Sequence, residues 1–138
     1  MAIYESAEDY LERILMLQKK LGKVRSIDIA HDMGYSKPSI SRAIKLLKED
    51  MYISVDSNGI IEFTDKGKVL ANSIYERHLL LTNFLTKIGV SDEIAKKDAC
   101  GIEHHLSEET FNALKKHIET LNYLLWQFFY LHLFKKFV

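Results

Sequence analysis

Apolar residues recur at helical spacing along most of this chain, and only one proline and six glycines interrupt them. This pattern predicts a mainly α-helical protein with few turns. The first helix is predicted over residues 6–21, where Ser6 and Asp9 have the spacing of a capping box and Gly22 ends the helix. Its apolar positions lie on one face: Tyr10, Ile14, Leu17 and Leu21.

Two shorter helices and a hairpin are predicted next. Residues 26–33 form a second helix that Gly34 closes, and Ser36 with Pro38 opens a third helix that runs through Leu47. Two β-rich runs, 52–55 and 60–63, then flank the dipeptide Asn58-Gly59, which is a strong hairpin signal.

The second and third helices have the spacing of a helix-turn-helix. That motif needs a small residue where the helices touch, a glycine at the turn and apolar residues beneath both helices. Ala30 and Gly34 meet the first two requirements, and the apolar positions are Ile29, Met33, Tyr35, Ile40 and Ala43. With the hairpin as its wing, the segment is predicted to be a winged helix-turn-helix that reads DNA.

The rest of the chain is predicted to be helical. A fourth helix extends over residues 64–88 up to Gly89, a fifth over residues 92–106 after the cap Ser91, and a sixth from Ser107 to the end. The fold class is therefore mainly α, with an N-terminal winged helix-turn-helix over residues 1–70 and an all-helical region over residues 71–138.

Composition narrows the function classes. The chain has 138 residues, 47% hydrophobic and 28% charged, which is typical of a globular protein of one or two small domains. Nineteen basic residues balance nineteen acidic ones, so a nucleic-acid surface must be local. One cysteine, no secretion signal and no apolar run long enough to span a bilayer favour a cytoplasmic protein without a transmembrane segment.

The third helix supplies the local basic surface. No acidic residue occurs between positions 36 and 48, and basic side chains there suit phosphates while short polar ones suit base edges. The alternative is a solvated helix face that happens to be basic. The DNA-binding candidates are Lys37, Ser39, Ser41, Arg42 and Lys45, and Lys48 adds a further charge.

A second group of residues, C-terminal to the helix-turn-helix, has the spacing of metal ligands. Cys100, Glu103 and His104 stand at i, i+3 and i+4, so on a helix their side chains share one face. The other candidate ligands are Asp9, Glu12 and His78. Each has an ordinary alternative as a cap, a surface charge or a core residue.

Several strings of the chain resemble the diphtheria toxin repressor family of metal-dependent transcription regulators, especially its manganese transport regulator branch. They are Asp9-Tyr-Leu-Glu12, Phe63-Thr-Asp-Lys-Gly67, Arg77-His78-Leu-Leu and Gly101-Ile-Glu-His-His-Leu-Ser107. The resemblance implies that Asp9, Glu12, His78, Glu103 and His104 are ligands. It also implies a homodimer whose metal-loaded form binds palindromic operators and represses metal-uptake genes, with metal binding and dimerisation in residues 71–138.

The chain departs from both branches of that family. It has Cys100 where the manganese branch has a glutamate, as in the iron-responsive branch, but it keeps Asp9 where the iron branch has a methionine. Thiolate is soft and carboxylate is hard, so the ion is expected to be Mn(II) or Fe(II), with Zn(II) or Co(II) possible. Thr82 and Lys96 replace the ligands of the iron branch's ancillary site, which is not expected here. His105 is a reserve ligand or a core residue.

The alternatives concern the ligand and the C-terminal tail. A winged-helix regulator could respond to an organic effector or to no ligand, and an enzyme is not expected because no H-E-x-x-H string occurs. The tail, residues 121–138, is unusually aromatic. Packing in the dimer is favoured for it, and a helix on a membrane surface is the rival interpretation.

Overall fold

The computed structural model describes residues 2–136, with side chains for residues 7–133 and for Lys135. The described residues form six helices and two strands. In chain order they are α1 (Ala2–Leu21), α2 (Ser26–Met33), α3 (Lys37–Glu49), β1 (Ile53–Val55), β2 (Ile61–Phe63), α4 (Asp65–Lys87), α5 (Asp92–Glu103) and α6 (Glu108–Lys136). The predicted fold class is confirmed.

The chain divides into two compact units between Glu76 and Arg77, within α4. In the first unit, α1 packs against α2 and α3. The apolar faces predicted from the sequence meet there except at Leu21, which is 51% exposed, and Leu11, Ile14, Ile29 and Ile40 are almost completely buried. Burial of these faces stabilises helices that would be marginal alone.

Two other predicted details of this unit are wrong. Helix α1 begins at Ala2, so Asp9 lies inside the helix and not at its start, and the side chain of Ser6 lies outside the described residues. Tyr35 does not fill an apolar position beneath the helices, because 53% of it is exposed and its ring meets the edge of Tyr10.

The turn between α2 and α3 follows the predicted chemistry. Gly34 adopts the left-handed conformation (φ 68°), which glycine reaches without steric cost, and its N–H donates to the Ala30 carbonyl. Ser36 then caps α3, where its Oγ accepts a hydrogen bond from the backbone N–H of Ser39 at 3.4 Å.

The wing is an antiparallel pair with Ser54 opposite Glu62. At its tip, Asp56 Oδ1 accepts hydrogen bonds from the N–H groups of Asn58 (2.8 Å) and Ile60 (2.9 Å), and Gly59 takes a positive φ of 78°. Strand β2 is tied to the helices, because the N–H of Ile61 donates to the Val24 carbonyl at 2.8 Å.

A close backbone contact joins the wing to the start of α4. Thr64 Oγ1 accepts from the N–H of Gly67 at 3.1 Å, and the N–H of Thr64 donates to the Tyr52 carbonyl at 3.0 Å. Gly67 is buried against that carbonyl. A Cβ at position 67 would overlap the Tyr52 oxygen and lie 2.8 Å from its carbonyl carbon, so only glycine fits.

The second unit contains the rest of α4 with α5 and α6. Leu81, Ala95, Ala99 and Phe111 are buried in it. Helix α6 starts at the predicted cap, since Ser107 Oγ accepts from the N–H of Thr110 at 3.1 Å. Among the described residues, no helix is both long and apolar enough to cross a bilayer.

Substitution of Gly67 by alanine should destabilise the first unit by about 1–3 kcal/mol, because the added methyl group forces the Tyr52 backbone to move. Gly101→Ala is the matched control. It lies in α5 with nothing within 4 Å of a new Cβ, so it should stabilise the chain by about 0.5–1 kcal/mol. Urea unfolding of both variants measures the difference, and equal midpoints would contradict the close contact.

Candidate metal centre and DNA-binding surface

A buried ionisable pair lies in the second unit. His78, from α4, and Glu103, from the last turn of α5, have side chains that are 9% and 0% exposed. Their Nδ1 and Oε2 atoms are 2.9 Å apart. Burial of a carboxylate is costly unless a cation or hydrogen-bond donors compensate its charge, so this pair marks a site with a specific electrostatic requirement.

Two further candidate ligands lie beside the pair. Cys100 Sγ is 3.7 Å from His78 Nδ1, and one potential ligand atom from each of His78, Cys100 and Glu103 lies within 4.8 Å of the others. His104 Nε2 is 3.3 Å from Glu103 Oε1. The structure therefore brings together all four predicted side chains of the second unit.

The helix that carries this cluster ends earlier than predicted. Helix α5 stops at Glu103 and does not continue toward Leu106. His104 nevertheless keeps a right-handed conformation (φ −81°, ψ −15°) as the C-cap, and so it follows Glu103 in the helical direction. Cys100, Glu103 and His104 keep their i, i+3, i+4 arrangement because α5 ends only after Glu103 and His104 still has helical backbone angles.

The donor set fits a divalent cation. Glu103 Oε1 is buried and accepts no hydrogen bond within the described part of the chain, so that oxygen is oriented for another positive partner. An imidazole nitrogen, a thiol sulfur and carboxylate oxygens are the ligand types that transition metals take in proteins.

Arg77 is a contributor that sequence reasoning missed. Its Nη1 donates to the backbone carbonyls of Leu106 (2.7 Å) and Glu103 (3.4 Å), at the turn where α5 ends. Its guanidinium also lies 5.1 Å from the Phe111 ring of α6. These contacts hold the turn that presents Glu103 and His104. No sequence signal reveals them, because backbone carbonyls accept the hydrogen bonds.

The two candidate ligands of the first unit lie on α1. Glu12 is 5% exposed, so its interpretation as a surface charge is wrong, whereas Asp9 is exposed. Their carboxylate oxygens lie within 4.8 Å of each other. Tyr10 lies between these two residues in the sequence. Burial raises the pKa of its phenol above the ordinary value, and Tyr35 and Asp9 raise it further. Tyr10 therefore remains a neutral side chain at physiological pH.

The remaining candidates occupy ordinary positions. Thr82 is buried, while Lys96 is exposed and pairs with Asp92 at 2.8 Å, which raises the pKa of the lysine. His105 is exposed, so its interpretation as a core residue is wrong.

The basic surface predicted on α3 is accessible. Lys37, Ser41, Arg42 and Lys45 are exposed, and Lys45 makes only a loose ion pair with Glu49 at 3.9 Å. Ser39 differs from the others, because it is half-buried and its Oγ accepts from Ser36 Oγ at 2.9 Å. Its hydroxyl is already part of the cap of α3.

Comparisons with known proteins agree with this geometry. Residues 2–59 match a family model described as the iron dependent repressor N-terminal DNA binding domain, and residues 64–123 match the iron dependent repressor metal binding and dimerisation domain. The transcriptional regulator MntR of Escherichia coli O157:H7 is 39% identical over 111 residues, which cover 80% of this chain and 72% of that protein. The HTH-type transcriptional regulator MntR of Bacillus subtilis (strain 168) is 38% identical over 102 residues, 74% of this chain and 72% of the relative.

Solved structures give the same picture. The manganese regulator SloR matches with a TM-score of 0.73 and 29% identity over 82% of this chain, and IdeR of T. acidophilum matches with a TM-score of 0.72 and 26% identity over 81%. The chain spans about half the length of these two solved proteins, 53% in each case.

Replacement of Arg77 by glutamine should loosen the turn between α5 and α6. Hydrogen bonds from a charged donor contribute about 1.5–3 kcal/mol, so the free energy of unfolding should fall by about that amount or less, since Arg77 is only half-buried. Amide exchange in residues 103–107 should accelerate. Lys97→Gln, at an exposed position of α5, is the control. Equal exchange rates in the two variants would show that Arg77 does not hold the turn.

Proposed function

This chain belongs to the diphtheria toxin repressor family, in its manganese transport regulator-like branch, and from that premise we propose that it binds palindromic operator DNA as a homodimer when loaded with Mn(II) or Fe(II). It is a metal-responsive transcriptional repressor and not an enzyme. The observation that carries the proposal is the buried His78–Glu103 pair with Cys100 beside it. The genes under its control are those of metal-ion uptake and homeostasis, and its place of action is the cytoplasm.

We assign six ligands to the metal. His78, Cys100, Glu103 and His104 are grouped in the second unit, and their geometry supports the assignment. Asp9 and Glu12 are neighbours on α1, and their assignment to the same centre rests on the resemblance of Asp9-Tyr-Leu-Glu12 to the manganese branch. A bound cation supplies the positive charge that the buried Glu103 carboxylate lacks.

The hybrid donor set bears on the identity of the ion. Asp9 and Glu12 offer hard oxygens that suit Mn(II), and the solved structures above include the manganese regulator SloR. Cys100 offers a soft sulfur that suits Fe(II), Zn(II) or Co(II) better than Mn(II). We therefore propose Mn(II) or Fe(II) as the physiological ion, with Zn(II) and Co(II) as further candidates for the centre.

The ligands come from both functional parts of the chain. We assign DNA binding to residues 1–70, and metal binding and dimerisation to residues 71–138. A centre that draws ligands from both parts favours one relative arrangement of them, and operator DNA selects the arrangement that places two copies of α3 about one helical turn, or a multiple of it, apart. Coupling of this kind typically changes affinity about 5–150-fold.

We assign the recognition of operator DNA to the exposed face of α3. We assign Lys37 and Lys45 to phosphates, and we assign base edges to Ser41 and Arg42 together with Ser39, which also belongs to the cap of α3. The wing tip carries Asp56, an acidic residue, so the wing contributes little attraction to the phosphate backbone.

Glu103→Gln should keep the fold and the dimer but lose the metal response, because the amide cannot replace the charge that a cation requires. The probe is double-stranded DNA selected from a random-sequence pool by the Mn(II)-loaded chain. The affinity for this DNA is measured under anaerobic conditions while Mn(II), Fe(II), Co(II) or Zn(II) is added. In the parent chain the effective ion should raise affinity about 5–150-fold, and in the variant it should raise it less than about threefold.

Glu93→Gln is the matched control for that experiment. It makes the same chemical change on the same helix at an exposed position, so its metal response should equal that of the parent. If Glu103→Gln retains the full response to every ion, the proposed centre is wrong. DNA binding by the parent that a chelator leaves unchanged would instead favour a regulator without a metal effector.

Lys45→Ala should weaken DNA binding about equally for all sequences and flatten its dependence on salt. One phosphate contact contributes about 0.9 to the slope of log affinity against log salt concentration. Fluorescence anisotropy between low and moderate salt measures the slope. Lys97→Ala, exposed on α5, should leave the slope unchanged. Equal slopes in both variants would exclude α3 from the interface.

A further inference from the structure

The C-terminal part of α6 presents a long apolar surface that the metal and DNA sites do not use. The match to the dimerisation domain ends at residue 123, but α6 continues to Lys136. No charged residue occurs between positions 121 and 133. Ten large apolar side chains there are each 43–67% exposed: Leu121, Tyr123, Leu124, Leu125, Trp126, Phe128, Phe129, Tyr130, Leu131 and Leu133. A surface of this kind marks an interface.

Apolar side chains lie all around this segment, but one row of them has a regular spacing. One side carries Leu121, Leu124, Phe128 and Leu131, at the alternating spacing of three and four residues that lets two helices pack along a seam. We call these four residues the α6 stripe. Their side chains have no polar atom, so their exposure to water is unfavourable in every rotamer.

The other side of the helix mixes apolar and polar groups, because Phe129 and Leu133 lie there beside residues that form hydrogen bonds. Asn122, Tyr123, Trp126 and Tyr130 all carry a hydrogen-bonding group. Asn122 Oδ1 accepts a hydrogen bond from Lys87 Nζ of α4 at 3.1 Å, and the rings of Trp126 and Tyr130 stack at 5.4 Å. The α6 stripe lies more than a quarter turn from Asn122 around the helix, so packing along the stripe leaves the hydrogen bond between Asn122 and Lys87 in place.

We propose that the α6 stripe packs against the same stripe of a second copy of this chain and so extends the dimer interface beyond residue 123. The inference rests on the proposed homodimer. A second copy suits the surface because the stripe continues the helix of the dimerisation domain and, being uncharged, is complementary to itself, as a two-fold interface requires.

A lipid surface suits it less well. Helices that lie on membranes combine an apolar face with a polar face rich in lysine and arginine. Residues 121–133 contain neither lysine nor arginine, and Lys135 and Lys136 follow only at the C-terminal end of α6. Residues 121–133 therefore lack the basic residues along a polar face that would hold this helix at a bilayer surface.

The test compares two double variants of the full chain. In Leu124→Glu/Phe128→Glu, dimerisation brings four carboxylates into the seam, so the dimer dissociation constant should rise at least 100-fold. The control, Trp126→Glu/Tyr130→Glu, makes changes at the same spacing on the other side, at positions of similar exposure, and should alter it less than threefold. Sedimentation equilibrium measures both constants, and circular dichroism checks that helix content is kept.

Leu124→Ala/Phe128→Ala keeps the test valid if the charged variant does not fold, since alanine favours a helix and should still weaken the dimer about tenfold. Equal dissociation constants for the stripe and control variants would overturn the proposal. Binding of the parent chain to vesicles of anionic phospholipid, lost in the stripe variant while the dimer persists, would also overturn it and assign the stripe to a membrane.

The outcome is distinguishable from that of the proposed function. If DNA binding responds to metal but the stripe substitutions leave the dimer dissociation constant unchanged, the proposed function stands and the proposed interface is wrong. If the stripe variant is monomeric but no ion changes DNA binding by the parent, the proposed interface stands and the metal response is wrong.

Discussion

The second unit depends on one constraint, the burial of the Glu103 carboxylate. Its side chain has no exposed surface, and its nearest polar neighbours are the imidazoles of His78 and His104. A carboxylate in that position is stable only where positive charge or donors surround it. The elements around it fix its position. Helix α5 ends directly after it, Arg77 fixes the turn that follows, and Cys100 adds a sulfur atom one turn earlier.

Most of the fold could be predicted because local chemistry determines where its elements begin and end. Gly34, Ser36 and Ser107 act through their own backbone or through residues three positions away, and such signals are readable in a single sequence. The two missed boundaries have other causes. Helix α1 begins before Ser6 although Ser6 resembles a cap, and α5 ends at Glu103, whose carbonyl accepts a hydrogen bond from Arg77, twenty-six residues away in sequence.

The site was predictable in part for the same reason. Helical spacing was enough to place Cys100, Glu103 and His104 on one face, but it could not place His78 beside them, because that contact depends on how α4 packs against α5. The resemblance supplied His78. Spacing also could not reveal that Glu12 is buried while Asp9, three residues earlier on the same helix, is exposed. Burial is a property of the assembled unit and not of the helix alone.

The tight approach of Gly67 to the Tyr52 carbonyl has a mechanical consequence for the first unit. There is no room for even one methyl group between the first turn of α4 and the residue that leads into β1, and Thr64 bridges the two with further hydrogen bonds. Contacts between close-packed groups transmit displacement with little slack. The hairpin and the opening turn of α4 should therefore move as one rigid lever, so that any tilt imposed on that end of the helix reappears at the tip of the wing.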